Sequence, residues 1–295
     1  MNILLAGSNG IIGSQLFSDL SLKNSVLGIG NEEIILKNYS RLDLTDKNKV
    51  SSFIKKNEKF SILVFLTGLA HSKGKGAEYN KFFAVNVQTL MNLLEVMKSQ
   101  NKLPGKIIFS STISTYVEKY SVTEYHEDSE QTPKSPYAIT KVEAEKYLLA
   151  NYGDISWILR FAPVYTSDFK LNIERRTKIK GKYYRIGNGK NKLSILSINN
   201  ITDVISSIIE EKVPSGIYNI SDSIDYTFND LLKSTSANGI IQIPSFLVKM
   251  LYFLNKPMGI NFINENSIKL LTHNVYPSTK IQKFVKLNHN LFEKE

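Results

Sequence analysis

The first half of the chain alternates short apolar runs with longer stretches in which apolar residues recur every three to four positions. The short runs predict buried strands over 2–6, 25–29, 62–66, 106–110 and 156–160, and the longer stretches predict helices over 13–22, 47–57, 79–99 and 135–152. Strand and helix alternating in this way close through right-handed crossovers. The expected fold class is therefore α/β, a doubly wound parallel sheet with helices on both faces. Ligands of such sheets bind outside the carboxyl ends of the strands, so the segments that follow the strands carry the search for function.

The first of these segments lies in MNILLAGSNGIIG, 1–13. Gly7 can take backbone angles closed to other residues, Gly10 lets a pyrophosphate approach the main chain, and Gly13 lets the helix pack tightly on the strand. Asn9, Ile11 and Ile12 complete the turn, and the free amides of the helix start would face a negative charge. The spacing is G-x-x-G-x-x-G, looser than G-x-G-x-x-G, and an ordinary glycine-rich turn without a ligand is the alternative.

After the second strand an acid is expected for the adenosine ribose. VLGIGNEE instead puts Gly30 and Asn31 there, with Glu32 and Glu33 arriving late, so the choice between NAD and NADP stays open. In RLDLTD, Asp43 with Leu44 could reach the adenine, while Thr45 or Asp46 reads equally as a helix N-cap. ILVFLTGLAH brings Leu66 and the small residues Gly68 and Ala70, against which a flat cofactor can lie. His71 reads equally as a substrate contact or a polar loop residue. KIIFSSTIS closes its strand with the hydroxyls of Ser110, Ser111 and Thr112.

SPYAITK then opens a long helical pattern in which Tyr137 and Lys141 are four apart and share a face. An ammonium near a phenol favours the phenolate, which predicts a tyrosine tuned for proton transfer. Thr112 could bond the same substrate oxygen. Tyr252 and Lys256 repeat the Y-x-x-x-K spacing with no strand-end hydroxyls before them, so the spacing alone is not specific. The ordered set of glycine turn, Thr112, Tyr137 and Lys141 carries the reading.

Composition changes this picture little. A net charge of +10 from 37 basic and 27 acidic residues invites an anionic partner, but the lysines are dispersed, so no nucleic-acid surface is expected. Only 175–192 is dense enough to suggest a phosphate site. There is no cysteine, hence no disulfide framework or thiolate chemistry, and the histidines show no metal spacing. The chain enters a strand at once without a signal-peptide pattern, which suits a cytoplasmic protein. IPSFLVKMLYFL, 243–254, is too short to span a bilayer, and the expectation is a helix buried on one face, with an interfacial membrane helix as the alternative.

GSNGIIG, LTGLAH, FFAVNVQTLMNLLE with Asn86, FSSTISTY, SPYAITKVEAE and LRFAPVY together resemble the extended short-chain dehydrogenase/reductase family of nucleotide-sugar epimerases, dehydratases and ketoreductases. The resemblance implies that Thr112, Tyr137 and Lys141 are catalytic, that the glycines and Asn86 belong to the dinucleotide site, and that Lys141 also binds the nicotinamide ribose. It implies a Rossmann domain, 1–165, followed by a smaller α/β substrate domain, 166–295, with segments near 195–221 returning to the first. The chain departs from the family pattern in three places. Ile113 and Ser114 follow Thr112 where dehydratases carry an acidic pair. Pro163 stands before Val164-Tyr165 where many epimerases have asparagine, and Lys192 is the nearest basic residue to an absent arginine. Dehydration is thereby disfavoured, and Pro163 and Lys192 join His71 and Thr112 as substrate candidates. The expected activity is NAD- or NADP-dependent oxidoreduction at C4 of a UDP- or dTDP-linked sugar for a surface polysaccharide. A 4-ketoreductase is slightly favoured over a 4-epimerase, with a non-catalytic dinucleotide sensor as the reading from another class. A homodimer is the candidate assembly.

Overall fold

The computed structural model describes residues 1–70, 78–235 and 237–293, with the backbone alone at 261 and 262. Its helices are α1 (Ile11–Ser21), α2 (Lys47–Lys56), α3 (Tyr79–Phe83), α4 (Thr89–Ser99), α5 (Pro136–Tyr152), α6 (Leu171–Thr177), α7 (Ile198–Ile209), α8 (Phe228–Ser234), α9 (Ser245–Asn255) and α10 (Asn261–Leu271). The strands that build the main sheet are β1 (Asn2–Ala6), β2 (Ser25–Gly30), β3 (Tyr39–Arg41), β4 (Ile62–Phe65), β5 (Lys106–Thr112), β6 (Ser156–Phe161) and the strand Gly216–Ile220.

These strands form one seven-stranded sheet in the order Gly216–Ile220, β6, β5, β4, β1, β2, β3. Pairing is parallel from β5 through β4, β1 and β2 to β3. The order reverses direction at β1, which is the switch point of a doubly wound sheet. The strands read as unbroken apolar runs because both faces are covered: Ile3, Leu4, Leu5 and Ala6 of β1 and Leu63, Val64 and Phe65 of β4 are all 0 % exposed. Each leucine, isoleucine, valine or phenylalanine among them contributes about 1.5–3 kcal/mol by leaving water.

Local chemistry sets the helix starts. Asp46 caps α2 by accepting from the amides of Asn48 and Lys49, both at 3.1 Å, so the cap falls to Asp46 and not Thr45. Ser135 caps α5 by accepting from the Ala138 amide at 3.3 Å, with Pro136 at the first helical position. The predicted single helix over 79–99 is instead three pieces: α3, a π turn at Ala84–Gln88, and α4. Apolar periodicity could not reveal the extra residue, because Phe82, Val87, Leu90, Leu93 and Leu94 stay buried across it.

By compactness the chain divides into two units. The first comprises Met1–Thr115, Gln131–Arg160 and Thr202–Tyr218, and the second comprises Tyr116–Glu130, Phe161–Ile201 and Asn219–Glu295. The second has its own core around Tyr165, Ile173, Leu193, Ile195, Tyr226 and Leu231. Asp222 is a buried hub there: its carboxylate accepts from the Ser197 amide, the Asn200 side chain and the hydroxyls of Tyr165 and Tyr226. Burial pushes its carboxyl pKa up, and those donors pull it back down.

The tract 243–254 forms the expected helix buried on one face, but that face is narrow. α9 buries only Val248 and Asn255, while Phe246, Leu247, Met250, Leu251, Phe253 and Leu254 are exposed. Among the described residues no helix is long and apolar enough to cross a membrane.

Candidate active site

The glycine turn between β1 and α1 has the shape a pyrophosphate requires. Gly7 has φ +84°, and a Cβ there would stand 2.9 Å from the Thr67 amide nitrogen. A Cβ on Gly13 would stand 2.1 Å from the Gly7 carbonyl oxygen, so the helix reaches the turn only because residue 13 is glycine. The Gly10 amide donates to the Gly7 carbonyl at 3.1 Å, and α1 starts with no side-chain cap and no acidic residue in its first turn. The amides of Ile11, Ile12 and Gly13 lie in that uncapped first turn, and with the helix dipole they fit the phosphates of a dinucleotide.

At the end of β2, a Cβ on Gly30 would fall 2.5 Å from Asn9 Oδ1 and 2.9 Å from the Tyr39 hydroxyl. Those two side chains occupy the space an acid would need, which is why glycine stands there. The Asn31 carbonyl accepts from Arg41 Nε at 3.1 Å. Asp43 turns onto Thr45, accepting from its amide at 2.9 Å and its hydroxyl at 2.6 Å, and these bonds hold its carboxyl below the usual range. The Leu44 side chain is in the core and its carbonyl accepts from Asn92. Leu66 extends the β4 pairing through its amide to the Ala6 carbonyl, and Gly68 and Ala70 are exposed in the loop beyond. His71 lies outside the described residues.

Asn86, in the π turn, ties that loop to α5. Its Oδ1 accepts from the Leu69 amide at 2.6 Å, and its Nδ2 donates to Thr140 Oγ1 at 3.0 Å. Both ends of the amide are engaged, so Asn86 shapes the loop. π turns often mark such positions.

Residues 110–112 and the start of α5 meet. Ser110 Oγ donates to the Phe65 carbonyl at 3.3 Å, and the Thr112 hydroxyl accepts from the Ser114 amide at 3.2 Å. The half-buried Tyr137 phenol is hydrogen-bonded to Thr112. Tyr137 sits in the first turn of α5, where the helix dipole favours negative charge on the phenol.

Lys141 is anchored on β5. Its Nζ donates to the Ser110 carbonyl at 2.8 Å, lies 4.8 Å from the centre of the Phe109 ring, and faces Gly68, where a Cβ would be 3.2 Å away. Burial lowers its pKa to about 8, with Glu145 pulling in the other direction. The Tyr137 pKa is raised, by burial, and the counteracting influence is the Thr112 hydrogen bond. The threonine bond thus offsets part of the rise that burial imposes on the phenol. For contrast, Lys256 of the second Y-x-x-x-K lies 5.7 Å from the Tyr252 ring on a solvent-facing helix.

One set of residues went unread in the sequence. Glu145, one turn after Lys141, forms a buried ion pair with Arg160 at 2.7 Å, both side chains being 2 % exposed, and it also bonds the Ser111 hydroxyl. The signal was present as an arginine inside the apolar run SWILRF and a glutamate at i+4 from the lysine. Pro163 and Lys192 lie in the second unit. Pro163 is half-buried with its carbonyl accepting from the Leu196 amide, and Lys192 is exposed with Asp225 at 3.4 Å.

A family model described as the NAD dependent epimerase/dehydratase family matches residues 3–221. UDP-glucose 4-epimerase of Vibrio cholerae is 27% identical over 244 residues, which cover 79% of this chain and 74% of that protein. Among solved structures, UDP-glucose 4-epimerase of Thermotoga maritima, determined with UDP-glucose, superposes with a TM-score of 0.74 at 19% identity, covering 99% of this chain and 95% of that one. UDP-glucuronic acid 4-epimerase of Bacillus cereus, in complex with NAD, gives 0.72 at 18% identity, covering 99% and 93%. At these identities the structural likeness is one of fold. Since the matched span runs from β1 through the strand Gly216–Ile220 and so takes in the glycine turn, the Thr112 strand and the Tyr137 helix, the chain belongs to the NAD-dependent epimerase/dehydratase family and is an NAD-dependent enzyme.

Proposed function

We propose that the enzyme interconverts the C4 epimers of a UDP-linked sugar in the cytoplasm. The observation that carries this reading is the hydrogen bond between Thr112 and Tyr137 at the carboxyl end of β5. It gives one sugar hydroxyl two oxygen partners, one to orient it and one to exchange its proton. NAD held on the Gly7–Gly10–Gly13 turn would supply the hydride acceptor and donor at C4. Tyr137 takes the C4 hydroxyl proton at its phenolic oxygen and returns it when the carbonyl is reduced. Thr112 holds that oxygen, and Lys141, charged below a pH of about 8, adds positive potential to the site. Ile113 and Ser114, which carry no carboxyl group, supply no acid to expel water from the neighbouring carbon.

A second reading is net reduction of a 4-keto sugar. A glycine at 30 in place of an acid would suit NADPH and hence a reductase, but Asn9 and Tyr39 stand beside Gly30, and the family is NAD-dependent. The epimerase reading therefore takes precedence.

The test is to incubate the purified enzyme with a panel of UDP- and dTDP-sugars and catalytic NAD, and to follow the sugars by NMR. Appearance of the C4 epimer without net cofactor consumption is the expected result. Stoichiometric oxidation of NADH or NADPH by a 4-keto sugar would replace this reading with the reductase. Tight NAD binding with no turnover across the panel would make the protein a dinucleotide sensor.

A further inference from the structure

α9 has the anatomy of a helix that lies on a lipid surface. Its inward side is narrow: Val248 packs with Tyr184 and Ile186, Tyr252 stacks on Tyr120 at 5.3 Å, and Asn255 donates to the Ile260 carbonyl. The rest of the circumference, swept by Phe246, Leu247, Met250, Leu251, Phe253 and Leu254, is apolar and between 40 % and 62 % exposed. At about 100° per residue these positions merge into one continuous arc. Met258 at 62 % and Ile260 at 45 % exposure extend it past the end of the helix.

Charge identifies what covers it. From 231 to 264 no aspartate or glutamate occurs, and the charged residues are Lys233, Lys249 and Lys256. Lys249 and Lys256 are seven apart, so they border the same edge of the apolar arc. Lys256 Nζ lies 5.1 Å from the Phe253 ring, and neither lysine is paired with a carboxylate among the described residues. An apolar strip bordered only by lysines complements acyl chains beneath anionic headgroups. A second copy of the chain docked antiparallel on the same strip, about a two-fold axis perpendicular to α9, would bring this lysine edge against its own image, which the charges disfavour.

We infer that α9 docks the enzyme on anionic lipid bilayers, with Phe246, Met250, Phe253 and Leu254 entering the interface and Lys249 and Lys256 meeting the headgroups. This docking is independent of which sugar reaction the site performs. The enzyme would then work beside membrane-bound consumers of its product, reactions that transfer an activated sugar to a lipid carrier.

The experiment is flotation of the full chain with phosphatidylglycerol-containing vesicles and with pure phosphatidylcholine vesicles. Expected is recovery with the former and little with the latter, with the partition coefficient falling about 25-fold in Lys249→Gln/Lys256→Gln, from about a fivefold contribution per lysine. Phe246→Ser/Leu254→Ser should bring flotation to background while circular dichroism and NAD binding stay unchanged. Absence of flotation with phosphatidylglycerol, or equal recovery on both vesicles, would overturn the proposal. So would sedimentation equilibrium showing a dimer that Phe246→Ser/Leu254→Ser converts to monomer, because the strip would then be a protein interface.

Discussion

Arg160 Nη2 meets Glu145 Oε2 at 2.7 Å in the interior of the first unit, and through that carboxylate β6 is joined to both Ser111 and the helix that carries Tyr137 and Lys141. A charge pair so deeply buried stabilises little by itself, but removing one partner strands the other without water. Glu145→Met is therefore expected to lower stability by about 3–5 kcal/mol in urea unfolding, and Glu145→Met/Arg160→Met should recover most of that loss. Activity should not recover with it, because the double variant leaves the Ser111 hydroxyl, next to Thr112, without its acceptor.

Tyr137→Phe removes a proton carrier and little else. Turnover should fall about 10²–10⁴-fold while the dissociation constant for NAD, measured by calorimetry, stays within about twofold. Thr112→Val removes the hydrogen bond that opposes the burial of the phenol, so the phenol pKa rises further. The kcat profile of Thr112→Val should lose activity and shift its rising limb to higher pH.

Lys141 makes a pH-dependent contribution whose sign follows from its burial. Its pKa falls from 10.5 to about 8 on folding, so between those values the unfolded chain binds more protons and this group makes stability rise with pH. At pH below about 8 the buried ammonium opposes folding, by an amount on the order of 3 kcal/mol. Lys141→Met should then melt a few degrees higher than wild type at neutral pH, with the gap closing as pH rises through that window. It should at the same time be nearly inactive. A lower melting temperature at neutral pH would contradict this account.

Two glycine-to-alanine changes should separate shape from chain stiffness. At Gly13 the new Cβ falls 2.1 Å from the Gly7 carbonyl oxygen, so α1 must move away from the turn. NAD affinity should drop at least tenfold, with a loss of stability. At Gly153 nothing lies within 4 Å, and alanine there should be neutral or stabilise by about 0.5 kcal/mol.

The residues that repeat locally were legible in the sequence. β1 was placed at its full extent, and α2 and α5 were found to within one residue at each end, since apolar period and caps such as Asp46 and Ser135 act over a few positions. That Thr112 and Tyr137 would converge on one place was expected from their order along the chain, whereas the hydrogen bond between them was not. What escaped depends on partners far apart in sequence. The direction of Lys141 is set by the Ser110 carbonyl 31 residues away, and the side chain that fills the place of the ribose acid comes from Asn9. The narrowness of the buried face of α9 escaped for a related reason, because apolar content reports that a helix shuns water without saying what shelters it.

The π turn at Ala84–Gln88 holds one residue more than an α-helix would in the same span. Deleting a residue anywhere in it would let the helix wind regularly, but would rotate everything downstream by about 100°. Leu90, Leu93 and Leu94 would swing out of the core, or Asn86 would lose its hold on Leu69 and Thr140. This short stretch is thus a fixed-length spacer: apart from Asn86 and the buried Val87 its residues are constrained less by identity than by number, and losing a single position would unseat either the helix packing or the loop beside the site.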